Sequence, residues 1–268
     1  MRADGRNAGD AVQERGVAPD RLTLLTCAAV LVVAAAAWVS AISSAADSGS
    51  MDEGMAGGPT AVGALAFVAA WTVMMAAMML PSALPMISLY GAVQRNAQGS
   101  TQSGAPVALF ALVYLGLWAA AGLPAYAAGV LLGAVSPELL PYGVAAALLV
   151  AGAYQLSPLK QVCLRACRSP LGFLMGHWRA GFRGGLAMAR AHAAYCLGCC
   201  WALMAVLVVA GAMGLPWVLL IAVIVAAEKL LPQGEWTARI AGFALVLVGV
   251  AVAAQPGVAM VLRGGTMQ

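Results

Sequence analysis

The sequence predicts an all-α protein, a polytopic bundle of about seven transmembrane helices with a cytoplasmic N-terminus. Three observations predict it: the composition, the length of the apolar runs and the placement of the basic residues. Of the 268 residues, 63% are hydrophobic and 9% are charged, whereas a soluble domain carries about 25% charged residues. This composition argues against an ordinary water-soluble domain.

Seven apolar runs are long enough to cross about 30 Å of hydrocarbon at about 1.5 Å per residue. The first exceeds the apolar core of a secretory signal, which is about 7 to 15 residues long, so we expect it to span. The sixth is short, and we expect its terminal Glu228 and Lys229 to reach the membrane interface. Within a transmembrane domain of residues 21–262, the runs are 22–42, 60–80, 107–130, 139–156, 190–212, 216–231 and 239–258.

The basic residues orient this bundle. Thirteen of the 14 Lys and Arg residues fall on one side of the membrane in a seven-span arrangement, and only Arg263 falls on the other. Basic residues near helix ends stay cytoplasmic, which predicts a multi-pass protein of the bacterial plasma (inner) membrane. Residues 1–20 are predicted to be a disordered cytoplasmic tail. The net charge of +4 is explained by the cytoplasmic loops, so no nucleic-acid partner is expected.

The strongest chemical signal is a group of thiols on the fifth run. Cys196, Cys199 and Cys200 follow His192 by about one turn, and at about 100° per residue all four fall within an arc of roughly 100°. Helix positions three and four apart lie about 5 to 6 Å apart at Cβ, close enough for thiolates to share one ion. The set predicts a soft-metal site inside the membrane.

Methionine is concentrated on the second run. A single Met usually fills a packing gap, but four within six residues favour a further role, because thioethers select Cu(I) over harder ions. This run crosses opposite to the fifth, so Met78 and Met79 are expected at the depth of Cys196. Pro81 and Pro85 follow, and are expected either to kink the helix or to mark a functional break. The four methionines are Met74, Met75, Met78 and Met79.

The segment 157–185 is predicted to be a cytoplasmic loop with a short interfacial helix. Ser157 is a good N-cap, and Pro170 a stop signal. Cys163 and Cys167, at i and i+4, share one side of this helix and predict a second thiol pair at the cytoplasmic mouth, suited to ion transfer. Flanking basic residues are expected to favour the thiolate form; they are Lys160, Arg165 and Arg168.

Four ordered segments resemble a known family. They read W-x-x-M-x-A-A-M-M-L-P-S-x-x-P-M at 71–86, Y-Q-L-S-P-L-K-x-x-C-L-x-x-C-R-S-P-L at 154–171, H-x-x-x-C-L-G-C-C-W-x-L-M at 192–204 and E-K-L-L-P-x-G at 228–234. The set is similar to the bacterial predicted metal-binding integral membrane proteins, a group defined by a domain of unknown function, over about residues 60–240. The resemblance implies metal binding and carries over Met75, Met78, Met79, Pro81, Pro85, Tyr154, Gln155, Lys160, Cys163, Cys167, Arg168, His192, Cys196, Cys199, Cys200, Trp201, Met204, Glu228 and Lys229.

Ligand softness favours Cu(I), with Zn(II) second, because thioethers and thiolates together suit Cu(I). The leading hypothesis is a membrane protein that binds a thiophilic ion for transport or transfer, in exchange with a metal-delivering or metal-accepting protein. Its ligands would be His192, Cys196, Cys199 and Cys200, supported by Met78 or Met79. The sequence contains no ATP-binding loop, so active pumping by this chain alone is not expected. No enzyme activity is assigned.

Two alternatives stay open. Cys196-x-x-Cys199 has the spacing of thiol–disulfide oxidoreductases, and labelling of the cluster from outside alone would favour that function. A membrane scaffold for a partner protein is the other, with Gly129 and Gly133 as a helix-packing pair. Structural disulfides are not predicted, because the thiols lie toward the reducing cytoplasmic side. Cys27 is interpreted as a small buried hydrophobe.

Overall fold

The computed structural model describes residues 21–47, 60–98, 105–179, 181–209 and 215–262, and within these ranges it contains helices and no strands. The predicted all-α class is confirmed. The predicted disordered tail lies outside the described residues. The helices are α1 (Arg21–Asp47), α2 (Ala61–Gln98), α3 (Ala105–Gly133), α4 (Leu140–Leu156), α5 (Pro158–Arg168), α6 (Pro170–His177), α7 (Gly181–Val209), α8 (Leu215–Leu230), α9 (Gly234–Ala254) and α10 (Gly257–Leu262).

A helix lies at each of the seven predicted runs, but the helices differ in length. Among the described residues, five helices are long and apolar enough to cross a membrane, namely α1, α2, α3, α7 and α9. The bent pair of α4 and α5 adds a sixth if the two helices form one broken span, and none if they form a re-entrant loop. The helix α8 has 16 residues, fewer than the roughly 20 that a span needs. The seven-span count and the orientation of the N-terminus stay predictions.

Large apolar side chains cover the outside of the bundle. Leu65, Leu112, Leu131, Phe243 and Leu247 are each at least 60% exposed. Exposing apolar surface to water costs about 25 cal/mol per Å², whereas hydrocarbon accepts it without that cost. The exterior and the long apolar helices are therefore compatible with a multi-pass membrane protein.

The helix α2 is longer than the predicted second run. It continues through Pro81 and Pro85 for 38 residues in all, so the two prolines do not end it. Each proline lacks an N–H group and removes one helical hydrogen bond. Hydroxyl groups bind backbone oxygen in the same region, since Ser82 Oγ donates to Met79 O at 2.9 Å and Tyr114 Oη donates to it at 3.4 Å. The carbonyl oxygens that lose their helical partners are those of Ala77 and Pro81, four residues before each proline, so these contacts to Met79 O do not replace the lost bonds.

The short helix predicted after Ser157 is present as α5. Ser157 Oγ accepts a hydrogen bond from the Lys160 N–H at 3.3 Å, and Pro158 is the first helical residue. The axis of α5 bends by 61° from that of α4, and this bend lays α5 against α7. An interfacial position for α5 stays a prediction.

The helix α7 lies at the centre of the bundle, in contact with α3, α4 and α5. Around it, α1 packs on α2, α2 on α3, and α4 on α9, while α8 contacts α2, α5, α7 and α9. The helices α4 and α9 approach closely at glycine, because a Cβ at Gly152 would lie 2.9 Å from Gly242 O. This arrangement encloses the cysteine-bearing face of α7.

Candidate metal centre

Three sulfur atoms from two helices come together beside α7. Cys167 of α5 and Cys196 and Cys199 of α7, here called the thiol cluster, have Sγ atoms within 4.8 Å of one another. The Cys167 and Cys199 sulfurs are 3.8 Å apart. With metal–sulfur bonds of about 2.3 Å, sulfurs around one ion lie about 3.8 to 4.0 Å apart. The thiol cluster can therefore hold a single metal ion after small side-chain movements.

Local structure explains why these three cysteines meet. Cys196 and Cys199 are three residues apart on one helix and so share a face, and both are buried. Cys167 reaches them because α5 lies close to α7 at Gly198, where a Cβ would sit 2.8 Å from Cys163 Sγ. Tyr154 Oη also donates a hydrogen bond to Gly198 O at 2.6 Å. Because Gly198 has no side chain, α5 can lie close enough to α7 for Cys167 to join Cys196 and Cys199.

The other two predicted cysteine ligands lie at the edge of this group. Cys200 is buried, with its Sγ 3.3 Å from Cys199 Sγ, but it is not part of the group of three. Cys163 is half-buried and packs against Gly198. The two cysteines of α5 therefore have different surroundings: Cys167 joins the thiols of α7, and Cys163 lies one turn earlier.

The imidazole of His192 lies among aromatic rings. The ring centroids of Phe110, Tyr114 and Phe173 are 5.9, 5.8 and 5.4 Å from that of His192. Its Nδ1 has no hydrogen-bond partner within the described part of the chain. Neither ring nitrogen lies within 4.8 Å of all three sulfurs of the thiol cluster. A ligand role for His192 stays a prediction, and it requires the side chain to move.

Four methionines are candidate ligands, and all are buried: Met75, Met78, Met79 and Met204. Met79 Sδ lies 3.5 Å from Lys229 Nζ, which in turn contacts Cys196. Met75 and Met78, like the other two, belong to the hydrophobic core. Met204 borders an apolar cavity of about 270 Å³ that is also lined by three tryptophans. Met79 is therefore the methionine with a contact that leads to the thiol cluster.

Lys229 lies beside the thiol cluster, a position that the sequence did not predict. Its Nζ donates to Cys196 Sγ at 3.1 Å, to Ser82 Oγ at 3.2 Å and to Met79 Sδ at 3.5 Å. We expected Glu228 and Lys229 at the membrane interface, but their exposures are 1% and 7%. The end of α8 packs against α2 and α5, and this packing buries both side chains.

The basic residues that flank Cys163 and Cys167 contact oxygen atoms. Lys160 Nζ lies 2.6 Å from Glu228 Oε2, and Arg165 Nε lies 2.8 Å from Glu235 Oε1. Arg168 donates to the carbonyl oxygens of Leu231 and Pro232. The polar groups that contact the Cys196 sulfur are instead Lys229 and Tyr114, whose Oη is 2.9 Å away.

A comparison with known families agrees with this chemistry. A family model described as PpoB2, copper chaperone, matches residues 68–252, which is more than half of the chain. The matched range contains Met79, Lys229 and the whole thiol cluster. No curated protein and no solved structure matches the chain. Family and ligand chemistry both indicate a thiophilic metal such as copper.

Proposed function

We propose that this chain, which belongs to the PpoB2 copper chaperone family, is a multi-pass membrane protein that binds Cu(I) at the thiol cluster and hands it to an acceptor protein. The observation that carries the proposal is the group of three sulfurs within 4.8 Å. Thiolate and thioether ligands select Cu(I). Zn(II) is the second candidate, because it favours four N or S ligands in a tetrahedron and the thiol cluster supplies three.

The difference in exposure within the thiol cluster supports transfer rather than storage. Cys196 and Cys199 are buried on the central helix, whereas Cys167 is half-buried on a short outer helix. A thiol of an acceptor protein would reach the ion from the Cys167 side. Cys163, one turn earlier on α5, would offer a further sulfur along the same route.

We propose further that residues 21–262 cross the bacterial plasma membrane seven times, with the N-terminus and the segment 157–185 in the cytoplasm. The one-sided distribution of basic residues supports this orientation, and cytoplasmic thiols stay reduced. An alkaline phosphatase reporter, which is active only outside the cytoplasm, should be active after Gln268 and inactive after Gln98. The opposite pattern would overturn the orientation.

Metal content tests the binding site. The full chain, expressed with copper and purified in detergent, should carry about one copper per chain by elemental analysis. Replacement of Cys167, Cys196 or Cys199 by Ser should remove most of it, because each supplies one of three sulfurs. Cys27→Ser is the matched control, since Cys27 lies on α1 outside the thiol cluster. Unchanged copper in all three cluster variants would overturn the proposal.

The same preparations separate the predicted ligands outside the thiol cluster from packing residues. His192→Phe keeps an aromatic ring against Phe110, Tyr114 and Phe173 but removes the nitrogens. Retained copper in this variant would assign His192 to packing, and lost copper in a folded protein would assign it to the metal. Cys200→Ser applies the same comparison to the sulfur beside Cys199.

Thiol–disulfide exchange is a second candidate, and one distance favours it. The sulfurs of Cys167 and Cys199 are 3.8 Å apart, so a small movement would allow a disulfide. Its formation releases two electrons and two protons to an oxidant such as a quinone. The test counts the thiols of copper-free protein with an alkylating reagent, before and after chemical reduction. Two more thiols after reduction than before would favour this function over copper binding.

A further inference from the structure

Three arginines line an open cavity where α5 meets the start of α9. The cavity has a volume of about 520 Å³, and its lining includes Arg165, Arg168, Arg239, Glu235 and Trp236. Among the described residues that line it, three guanidinium groups stand against one carboxylate, so the lining carries two net positive charges. A cavity with this charge is suited to an anion.

Two of these arginines are held in place by hydrogen bonds. Arg165 donates from Nε and Nη2 to the two carboxylate oxygens of Glu235, at 2.8 and 3.3 Å. Arg168 donates from Nη2 to the carbonyl oxygens of Leu231 and Pro232. A guanidinium group has five N–H donors in a fixed plane, so both side chains keep N–H groups that these bonds do not use. Paired guanidinium N–H groups match the oxygens of a phosphate.

The third arginine lies over an indole ring. The Cζ atom of Arg239 is 5.3 Å from the ring centroid of Trp236, a cation–π contact that orients the guanidinium group. Both side chains are exposed, and among the described residues no carboxylate forms a salt bridge with Arg239. Its charge is therefore available to a ligand in the cavity.

An exposed apolar row runs along α9 from this cavity. Its five members follow each other at alternating spacings of four and three residues, so they lie on one face of the helix. The row covers 14 helical steps, which is about 21 Å, whereas the hydrocarbon of one leaflet is about 15 Å thick. Each member is more than half exposed: Trp236, Ile240, Phe243, Leu247 and Val250.

We propose that the cavity and the apolar row together bind one anionic phospholipid, an inference that rests on the membrane location in the proposed function and not on the copper site. The phosphate binds the guanidinium groups, and an acyl chain lies along the row. An acidic protein surface would also neutralise the arginines, but it would leave the row beneath them without a role. The headgroup contacts both α5 and α9, so it holds α5, which carries Cys167, against α9.

The test measures which lipid lies beside Trp236. The full chain is reconstituted in phosphatidylcholine vesicles that contain a small fraction of brominated phosphatidylglycerol or of brominated phosphatidylcholine. Bromine in the upper part of the acyl chain quenches a tryptophan that it contacts, and subtraction of the Trp236→Phe signal isolates Trp236 from the other tryptophans. The association constant of the anionic lipid should exceed that of the zwitterionic lipid at least about fivefold, the factor expected for one basic residue near a membrane.

Matched variants assign this preference to the cavity. Arg239→Gln removes one positive charge and should lower the preference about fivefold, whereas Arg239→Lys keeps the charge and should retain most of it. Glu235→Gln removes the carboxylate and should raise the preference. The control is Arg183→Gln, which removes an exposed arginine on the same proposed side of the membrane but outside the cavity. It should leave the preference unchanged.

Each outcome decides a separate question. A preference that Arg239→Gln lowers and Arg183→Gln leaves intact supports the inference. Equal association constants for the two lipids would overturn it, and an acidic protein surface would then be the occupant to test. Equal losses in Arg239→Gln and Arg183→Gln would also overturn it, because the preference would then reflect general charge. Absence of quenching by either lipid would contradict the membrane location, which belongs to the proposed function.

Discussion

Two buried lysines of this protein have different partners. Lys160 of α5 meets Glu228 Oε2 at 2.6 Å, and Gln155 Nε2 donates to the other carboxylate oxygen at 2.9 Å. Lys229 of α8 meets Cys196 Sγ at 3.1 Å and Ser82 Oγ at 3.2 Å. The first lysine is neutralised by a carboxylate of its own chain. The second faces thiols, and of these the Cys196 sulfur can balance its positive charge only as a thiolate.

One turn of α8 serves both regions. Glu228 and Lys229 are consecutive and so point about 100° apart. Glu228 reaches Lys160 and Gln155 of the α4–α5 bend, and Lys229 reaches Ser82 of α2 and Cys196 of α7. The ion pair therefore fixes α8 against α5, and α5 carries Cys167. The same turn therefore positions Cys167, a proposed ligand, and the Lys229 ammonium group beside Cys196.

Removal of the Glu228 charge should give the largest effect on stability. Glu228→Gln leaves Lys160 buried without a carboxylate, and breaking a buried pair in this way costs about 3 to 5 kcal/mol. The free energy of unfolding can be measured by titration with dodecyl sulfate in mixed micelles, followed by helical circular dichroism. Lys160→Met combined with Glu228→Gln removes both charges and should recover much of the loss. Equal losses in the single and double variants would contradict the assigned pairing.

Gly198→Ala should give an intermediate effect that reaches the thiol cluster. The new Cβ would lie 2.8 Å from Cys163 Sγ, so α5 must move or the cysteine must rotate, at a cost of about 1 to 3 kcal/mol. Movement of α5 also carries Cys167 away from Cys199, and we expect about a tenfold loss in Cu(I) affinity by chelator competition. The combination with Cys163→Ala removes the clash and should restore both quantities. A double variant no better than Gly198→Ala would contradict this explanation.

The smallest effect is expected from the matched control for Glu228→Gln. Glu235→Gln also replaces a carboxylate by an amide, but its partner Arg165 is 65% exposed. Water hydrates the remaining charge and salt screens the pair. The stability should stay within the error of the measurement. A loss similar to that of Glu228→Gln would show that burial does not distinguish the two pairs.

Local signals in the sequence determined most of the helical framework. The all-α class and the positions of the long helices follow from runs of apolar residues. The start of α5 follows from Ser157 and Pro158, whose capping role depends only on neighbours in the chain. The shared face of Cys196 and Cys199 follows from the helical repeat. None of these features needs knowledge of which helices pack together.

Only the tertiary structure decided which side chains meet around the thiol cluster. The helical repeat predicts the direction of a side chain but not which residues of other helices it contacts. His192 lies one turn before Cys196 but is surrounded by aromatic rings, whereas Cys167, from another helix, contacts the thiols. The position of Lys229 depends on α8 packing against α2 and α5. The resemblance to a metal-binding family included Glu228 and Lys229, but it gave no physical explanation for either residue. For Lys229 the structure shows a contact with Cys196, 33 positions earlier in the chain. Such a contact forms only when the helices pack together.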